Sequence, residues 1–154
     1  MTSQSTSPIR LDEFWAYQVV VLADQVSRYT LEIVKAEADL NQSQWRVLAA
    51  IADKPGRSAA EVTAVTPMDK TIVSRAVASL LASGMIKRTP NANDKRVAAL
   101  EMTALGAERY ALISAKLAEH LNTEMIGGKS TLEFNDAVKH FSRNIARLNA
   151  SKKS

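Results

Sequence analysis

No cysteine occurs in the 154 residues. Its absence removes a disulfide framework, a thiolate zinc site and any thiol redox switch. It also fits a reducing cytoplasm, which is the expected location. Histidine is scarce: His120 and His140 are the only two. Each stands alone in a helical stretch, without the clustered His, Asp and Glu that a metal centre needs. Asp136 precedes His140 by four residues, a spacing that on a helix is more often a surface contact than a site. There is no glycine-rich phosphate loop and no apolar run near the length of a membrane span. Residues 1–8 are rich in Ser, Thr and Gln and lack the cationic and apolar regions of a signal peptide, so they read as a disordered tail. No internal repeat occurs. The expectation is a chain that is no enzyme, holds no cofactor or metal and meets no membrane.

What is present is ordinary in amount and uneven in placement. Hydrophobic residues make up 46% and charged residues 23%, as in a soluble domain long enough to bury a core unaided. The net charge is +4. Residues 65–96 alone carry Lys70, Arg75, Lys87, Arg88, Lys95 and Arg96 against Asp69 and Asp94, a local +4, while residues 1–64 sum to −2 and residues 97–154 to +2. A basic patch attracts phosphates in general, although many bland surfaces carry as much charge.

Apolar spacing predicts a first helix over residues 11–39, with Leu11, Trp15, Leu22, Val26, Tyr29 and Ile33 at steps of three, four and seven. Asn41 with Gln44 forms a capping-box pattern for the next helix, whose apolar face is Trp45, Leu48, Ile51 and Ala52, and Pro55-Gly56 ends it. Ser58 with Glu61 repeats the pattern for a short helix that would bury Val62 and Val65. Thr66 is the expected cap of the following helix, with Pro67 at its first position and Asp69 in its first turn. On that helix Ile72, Val73, Ala76, Val77 and Leu80 share one face. Thr71, Ser74, Arg75 and Ala78 share the opposite one, with Lys70 at its edge. Ser83-Gly84 is the stop. Two strands, 85–89 and 96–102, follow around the turn residues Pro90, Asn91, Asn93 and Asp94, although Ala98-Ala99 are poor strand formers. Thr103 then caps a helix expected to reach Met125, and Gly127-Gly128 breaks it. Phe134, Val138, Phe141, Ile145 and Leu148 mark a heptad-like seam on a last helix beginning near residue 130 or 131.

Two short helices followed by a basic hairpin are the parts of a winged helix-turn-helix. The expected fold is mainly α with a small β-hairpin: a disordered tail (1–10), an N-terminal dimerisation helix (11–39), a winged helix-turn-helix DNA-binding domain (40–102), C-terminal dimerisation helices (103–149) and a tail (150–154). The apolar seams of the terminal helices would be poorly covered in a monomer, which predicts a homodimer. Mutual cover within one chain is the alternative.

Three fragments resemble the MarR family of bacterial transcription regulators. Leu40-Asn41-Gln42-Ser43-Gln44-Trp45-Arg46-Val47-Leu48 resembles its "L-T-x-x-Q-x-x-V-L" helix, with Asn41 where Thr is common. Thr71-Ile72-Val73-Ser74-Arg75-Ala76-Val77 followed by Leu80-Leu81-Ala82-Ser83-Gly84-Met85-Ile86-Lys87-Arg88 resembles its recognition helix running into the wing. Asp94-Lys95-Arg96 followed by Leu100-Glu101-Met102-Thr103-Ala104-Leu105-Gly106 resembles its "D-x-R … L-T-x-x-G" signature, with Met102 where Leu is usual. The order of elements matches from about Leu11 to Leu148.

The resemblance implies a ligand-responsive repressor that binds a pseudo-palindromic double-stranded DNA operator as a dimer. The helix over residues 67–82 would enter the major groove. Arg75 would pair with guanine, Ala78 would meet a thymine methyl, and Lys70, Thr71 and Ser74 would take phosphates or mixed contacts. By the same resemblance Arg96 enters the minor groove, Asp94 orients it and Lys95 adds phosphate attraction. Ser58 is either a phosphate contact or only a cap, Asp94 either an orienting partner or an ordinary turn residue, and Lys70 and Arg75 either contacts or solvated charges. The family also implies a small aromatic or phenolic acid effector, for which Trp15, Tyr29, Trp45 and Arg46 are candidates; as core aromatics and a surface charge they have a plainer reading. A non-catalytic helical adaptor that dimerises without specific DNA binding is the alternative function.

Overall fold

Side-chain caps set the framework of the helix-turn-helix. The computed structural model describes residues 8–91, 93–94, 96–121 and 131–152. Its elements are α1 (Trp15–Ala38), α2 (Gln42–Asp53), α3 (Ala59–Val65), α4 (Lys70–Ala82), β1 (Ile86–Pro90), β2 (Ala98–Met102), α5 (Ala104–His120) and α6 (Thr131–Ser151). This is a mainly helical fold with one antiparallel hairpin, the winged helix-turn-helix expected from the sequence. Asn41 accepts from the Gln44 N–H at 2.9 Å while the Gln44 side chain accepts from the Asn41 N–H at 2.8 Å. Ser58 and Glu61 repeat the exchange at 3.2 and 2.8 Å. Both expected capping boxes are therefore formed, and each satisfies two otherwise orphaned donors.

The start of α4 differs from expectation. The Thr66 hydroxyl turns back and donates to the Val62 carbonyl at 2.8 Å, so Thr66 closes α3 and does not cap α4. Pro67 holds the residue before it in an extended conformation, which Thr66 adopts at φ −120° and ψ 153°. Asp69 is the actual cap, its carboxylate accepting from the Ile72 N–H at 2.8 Å. Met68 and Val73, the positions just before that cap and four beyond it, are both buried, the arrangement of a hydrophobic staple. Two smaller corrections have similar causes. The first helix starts at Trp15, because the Arg10 carbonyl accepts from the N–H groups of Glu13 and Phe14 and winds residues 11–13 into a turn. Val65, expected inside, is 55% exposed because α3 ends on it.

The far end of α4 is a Schellman turn. Gly84 N–H donates to the Leu81 carbonyl and Met85 N–H to the Leu80 carbonyl, and Gly84 supplies the positive φ of 71° that the turn requires. The hairpin pairs Ile86 with Met102 and Pro90 with Ala98. Its second strand begins at Ala98, two residues later than expected, because Val97 belongs to the loop: its N–H donates to the Asp94 carbonyl and its carbonyl accepts from Asn91. Ala98 and Ala99 pair in spite of their low propensity, since packing context outweighs it. Leu100 also exchanges backbone hydrogen bonds with Gly56 and Arg57, which ties the hairpin to the turn between α2 and α3.

The chain divides into two compact units, Met1–Ile113 and Ser114–Ser154, and α5 passes from one into the other. The core of the first is built from Leu48, Ile51, Val62, Val73, Val77, Leu80, Ile86 and Leu100, with Val34 of α1 and Ile113 of α5, all buried. Val47 and Ala50, absent from the expected apolar face of α2, are buried as well, whereas Trp45 and Ala52 are only half-buried. In the second unit α6 exposes Phe134, Val138, Phe141, Ile145 and Leu148 along its length. In the first, α1 exposes Trp15, Val19, Leu22 and Val26. The expected end of the fifth helix at Met125 and the break at Gly127-Gly128 lie outside the described residues.

At the base of the wing the chain crosses itself. The Thr103 N–H donates to the Met85 carbonyl at 3.0 Å, and the Thr103 hydroxyl donates to the Gly84 carbonyl and accepts from the Gly106 N–H. A Cβ on Gly106 would lie 2.0 Å from the Met85 carbonyl oxygen, a backbone atom that cannot rotate away. Gly106→Ala is therefore expected to cost about 3 kcal/mol, read as a lower urea midpoint at unchanged slope. An alanine variant as stable as the parent would show that this crossing is loose.

Candidate nucleic-acid interface

On α4 the burial pattern separates two faces. Val73, Ala76, Val77 and Leu80 point into the core, and Lys70, Thr71, Ser74, Arg75 and Ala78 are exposed, as the periodicity required. Ile72 departs from it: expected inside, it is 39% exposed. It lies about 90° around the helix from the centre of the buried stripe, on the flank that faces the start of α2. A cleft of about 260 Å³ opens there, lined by Asn41, Ser43, Ile72, Arg75, Ala76 and Ser79. The opposite flank borders a cleft of about 270 Å³ lined by Ala59, Ala60, Thr63, Lys70, Val73 and Ser74. Gln44, already part of the α2 capping box, donates through Nε2 to the Ser79 hydroxyl at 2.6 Å. The N-terminal end of α2 is thus linked directly to the exposed side of α4.

The wing tip is organised by its short polar side chains. Asn91 accepts from the N–H groups of Asn93 and Asp94 at 2.8 and 3.3 Å. Asp94 accepts from the Arg96 N–H at 3.0 Å and from Arg96 Nε at 3.4 Å. Asp94 is therefore both a turn residue and a partner of the guanidinium, so the two readings of it coexist. The Arg96 side chain remains 93% exposed. Lys95, a further expected contact, lies outside the described residues. On β1, Lys87 pairs with Glu101 at 3.6 Å, across the strand register. Arg88 was not among the expected contacts, yet it is exposed and has no partner among the described residues, as is true of Lys70 and Arg75. Strand alternation gave no warning, since it places Arg88 on the same side as the buried Ile86. Arg88 is exposed although its cross-strand partner Leu100 is buried in the core.

Ser58 is held differently from the other candidates. It is 6% exposed, and its hydroxyl accepts from Glu61 as a cap. The Glu61 carboxylate is held below its ordinary value, by the Ser58 backbone N–H first and then by the Ser58 side chain; burial opposes them, and the Lys54 ammonium adds a smaller lowering effect. Lys54 Nζ lies 3.6 Å from Glu61. The four effector candidates are scattered in environment. Trp45 stacks on Tyr110 with ring centroids 5.6 Å apart and 19° between planes. Tyr29 and Arg46 are half-buried and Trp15 is exposed. None of the four lines either cleft beside α4. Among the described residues no group of three His, Asp or Glu is placed to hold a metal ion, and no helix is long and apolar enough to cross a membrane.

The model of the MarR family matches residues 38–97, which span α2 through the wing tip. No curated protein matches the chain significantly in sequence. Solved structures resemble it over nearly its whole length. A MarR/EmrR family transcriptional regulator from Acinetobacter sp. ADP1 is 19% identical, with 92% of this chain and 99% of that one aligned at a TM-score of 0.76. A mutant MarR from E. coli complexed with operator DNA is 20% identical, with coverages of 90% and 99% and a TM-score of 0.68. The transcriptional repressor CouR, bound to a 23-mer DNA duplex, is 23% identical, with coverages of 91% and 99% and a TM-score of 0.69. At these identities the likeness carries the fold.

The lowered Glu61 value gives α3 a pH dependence of definite sign. A carboxylate held below its unfolded value adds stability that is fully present above the unfolded value and is lost as pH falls through the folded one. The parent should therefore lose stability relative to Glu61→Gln, which keeps the box geometry without the charge, as pH drops below the ordinary glutamate range. Thermal unfolding of both proteins from neutral to acid pH measures this, and parallel curves would remove Glu61 from the account.

Proposed function

We propose that this chain, whose residues 38–97 match the model of the MarR family, is a dimeric transcription regulator of that family that reads a pseudo-palindromic operator with α4 and the wing. The observation that carries the reading is a set of exposed cations on α4 and the wing. Lys70 and Arg75 on α4 and Arg88 on the wing form no salt bridge among the described residues, and Arg96 extends into solvent from an organised turn. In this reading α4 lies in the major groove. Arg75 presents its planar fork to guanine, while Lys70, Thr71 and Ser74 meet phosphates or base edges. Arg96, steered by Asp94, enters the minor groove, where narrow tracts concentrate negative potential. Ser58 acts chiefly as the cap that holds α3 beneath α4.

The dimer rests on the exposed apolar residues of α1 and α6. A row such as Phe134, Val138, Phe141, Ile145 and Leu148 repeats at the spacing of helix-on-helix packing. Two protomers related by a two-fold axis would place two copies of α4 on successive half-sites of the duplex. Occupying a promoter in this way blocks polymerase without further contacts, which favours repression. The effector arm of the family has no comparable support here. Trp45 is already stacked on Tyr110, so release by an aromatic or phenolic acid stands only on the resemblance.

Binding is expected to weaken steeply with salt, because each neutralised phosphate releases a counterion. Arg96→Ala should reduce affinity at all sequences and flatten the salt slope by about one. Arg75→Ala should cost about 1–3 kcal/mol at the preferred sequence and also relax preference at one base pair. Fluorescence anisotropy with DNA from upstream of the gene and with scrambled DNA tests both. An unchanged sequence ranking in the Arg75 variant would show that α4 does not read bases, and absence of binding at low salt would leave the helical adaptor reading. Ile145→Glu on α6 should convert the dimer to a monomer in analytical ultracentrifugation and lower operator affinity with it. A dimer that survives the change would move the interface away from α6.

A further inference from the structure

We infer that Ile72 is a specificity-determining residue that reads a thymine C5-methyl group in the major groove. The inference rests on the assignment of α4 as the DNA-reading helix and goes beyond it, since the sequence pattern placed Ile72 in the core and gave the thymine contact to Ala78.

Three observations point to Ile72. The first is its exposure of 39% on the first turn of α4, the part of a recognition helix that comes closest to base edges. The second is its neighbourhood. It shares a cleft with Arg75 and Ser79 and lies about 60° around the helix from Arg75. A guanidinium paired with guanine would thus bring the isoleucine against an adjacent base pair. The third is a contrast among the three caps. In α2 and α3 the third helical position is Gln44 and Glu61, and each returns a hydrogen bond to its cap residue. In α4 the cap is Asp69 and the third position is Ile72, so that returning bond is missing. Here a branched apolar side chain takes the place of the residue that would stabilise the helix start, and it does so on a wet surface. Local rules of this kind are broken where a function needs the position. A glutamate at Ile72 would also repel phosphates, and a glutamine would present amide groups that compete with water.

Ala78 is the weaker candidate. It stands in the third turn of α4, and its single methyl group extends no further than the helix surface. Isoleucine carries an apolar arm long enough to cover a thymine methyl, and burying a methyl is favourable without any demand on direction.

The test uses the full-length protein and the tightest duplex it selects from a randomised library. Each thymine of that duplex is replaced in turn by deoxyuridine, which keeps every hydrogen-bonding group and lacks only the methyl. The parent is expected to lose about fourfold in affinity at one thymine per half-site, the effect of one unburied methyl. Ile72→Gln keeps the fold by supplying the missing arm of a capping box and should bind both duplexes equally. Ile72→Val should retain part of the discrimination. If the parent prefers its selected duplex but is indifferent to every deoxyuridine, or if Ile72→Gln still discriminates, the inference fails while the DNA reading stands. If no duplex is enriched, the reading of α4 fails first.

Discussion

The close crossing of Met85 and Gly106 governs how the wing and α4 are held together. Leu80 and Leu81 close α4 through a glycine-dependent turn, and the next carbonyl groups are taken at once by Thr103. No side chain fits at Gly106, so α5 starts in direct backbone contact with the end of the helix-turn-helix. The base of the hairpin is therefore fixed at both strands. A second anchor lies further along, where Leu100 pairs with Gly56 and Arg57. Arg57 is itself held by Asp53 at 2.7 Å. The anchored second strand begins two residues beyond Arg96. In the proposed DNA-reading role such anchoring matters, because a mobile arginine would lose much of its binding energy to ordering.

The same economy of contacts links α2 to α4. Gln44 completes the α2 capping box with its carbonyl oxygen and reaches Ser79 with its amide nitrogen. One side chain thus sets both the start of one helix and the placement of another. Arg109 reaches the Glu37 carbonyl at the end of α1, and Trp45 stacks on Tyr110. Through these contacts α1, α2 and the start of α5 are fastened together, so any movement of α1 would be felt at α2, which touches α4.

Much of this was legible in the sequence. Asn41 with Gln44, Ser58 with Glu61 and Ser83-Gly84 announce helix ends by short-range chemistry, and each acts as its pattern implied. The exposed row Lys70, Thr71, Ser74, Arg75 and Ala78 followed from helical period alone. What was misread depended on competition or on distance. Thr66 and Asp69 are both good caps, and the choice between them was made by Pro67 and by a hydroxyl turned back to Val62. Ile72 is apolar and was assigned to the core, although burial depends on what faces a residue as well as on its type. The pairing of Leu100 with Gly56 and Arg57 has no local signature, and neither has the exposure of Arg88, whose cross-strand partner Leu100 is buried.

The electrostatics of the basic segment depend on how its two acids are used. Asp69 accepts from the Ile72 N–H at the start of α4, and Asp94 accepts from the backbone and guanidinium of Arg96. Both carboxylates are thus engaged by the protein's own donors. Their charge still counts in the net total, but each orders a cation-bearing element: Asp69 the helix that carries Lys70 and Arg75, Asp94 the loop that carries Arg96. Removing either acid would make the segment more basic by one unit and at the same time loosen the element that presents its cations. Non-specific attraction and precise presentation would then move in opposite directions. In this segment charge supplies attraction, while the hydrogen bonds of the two acids decide where that charge is held.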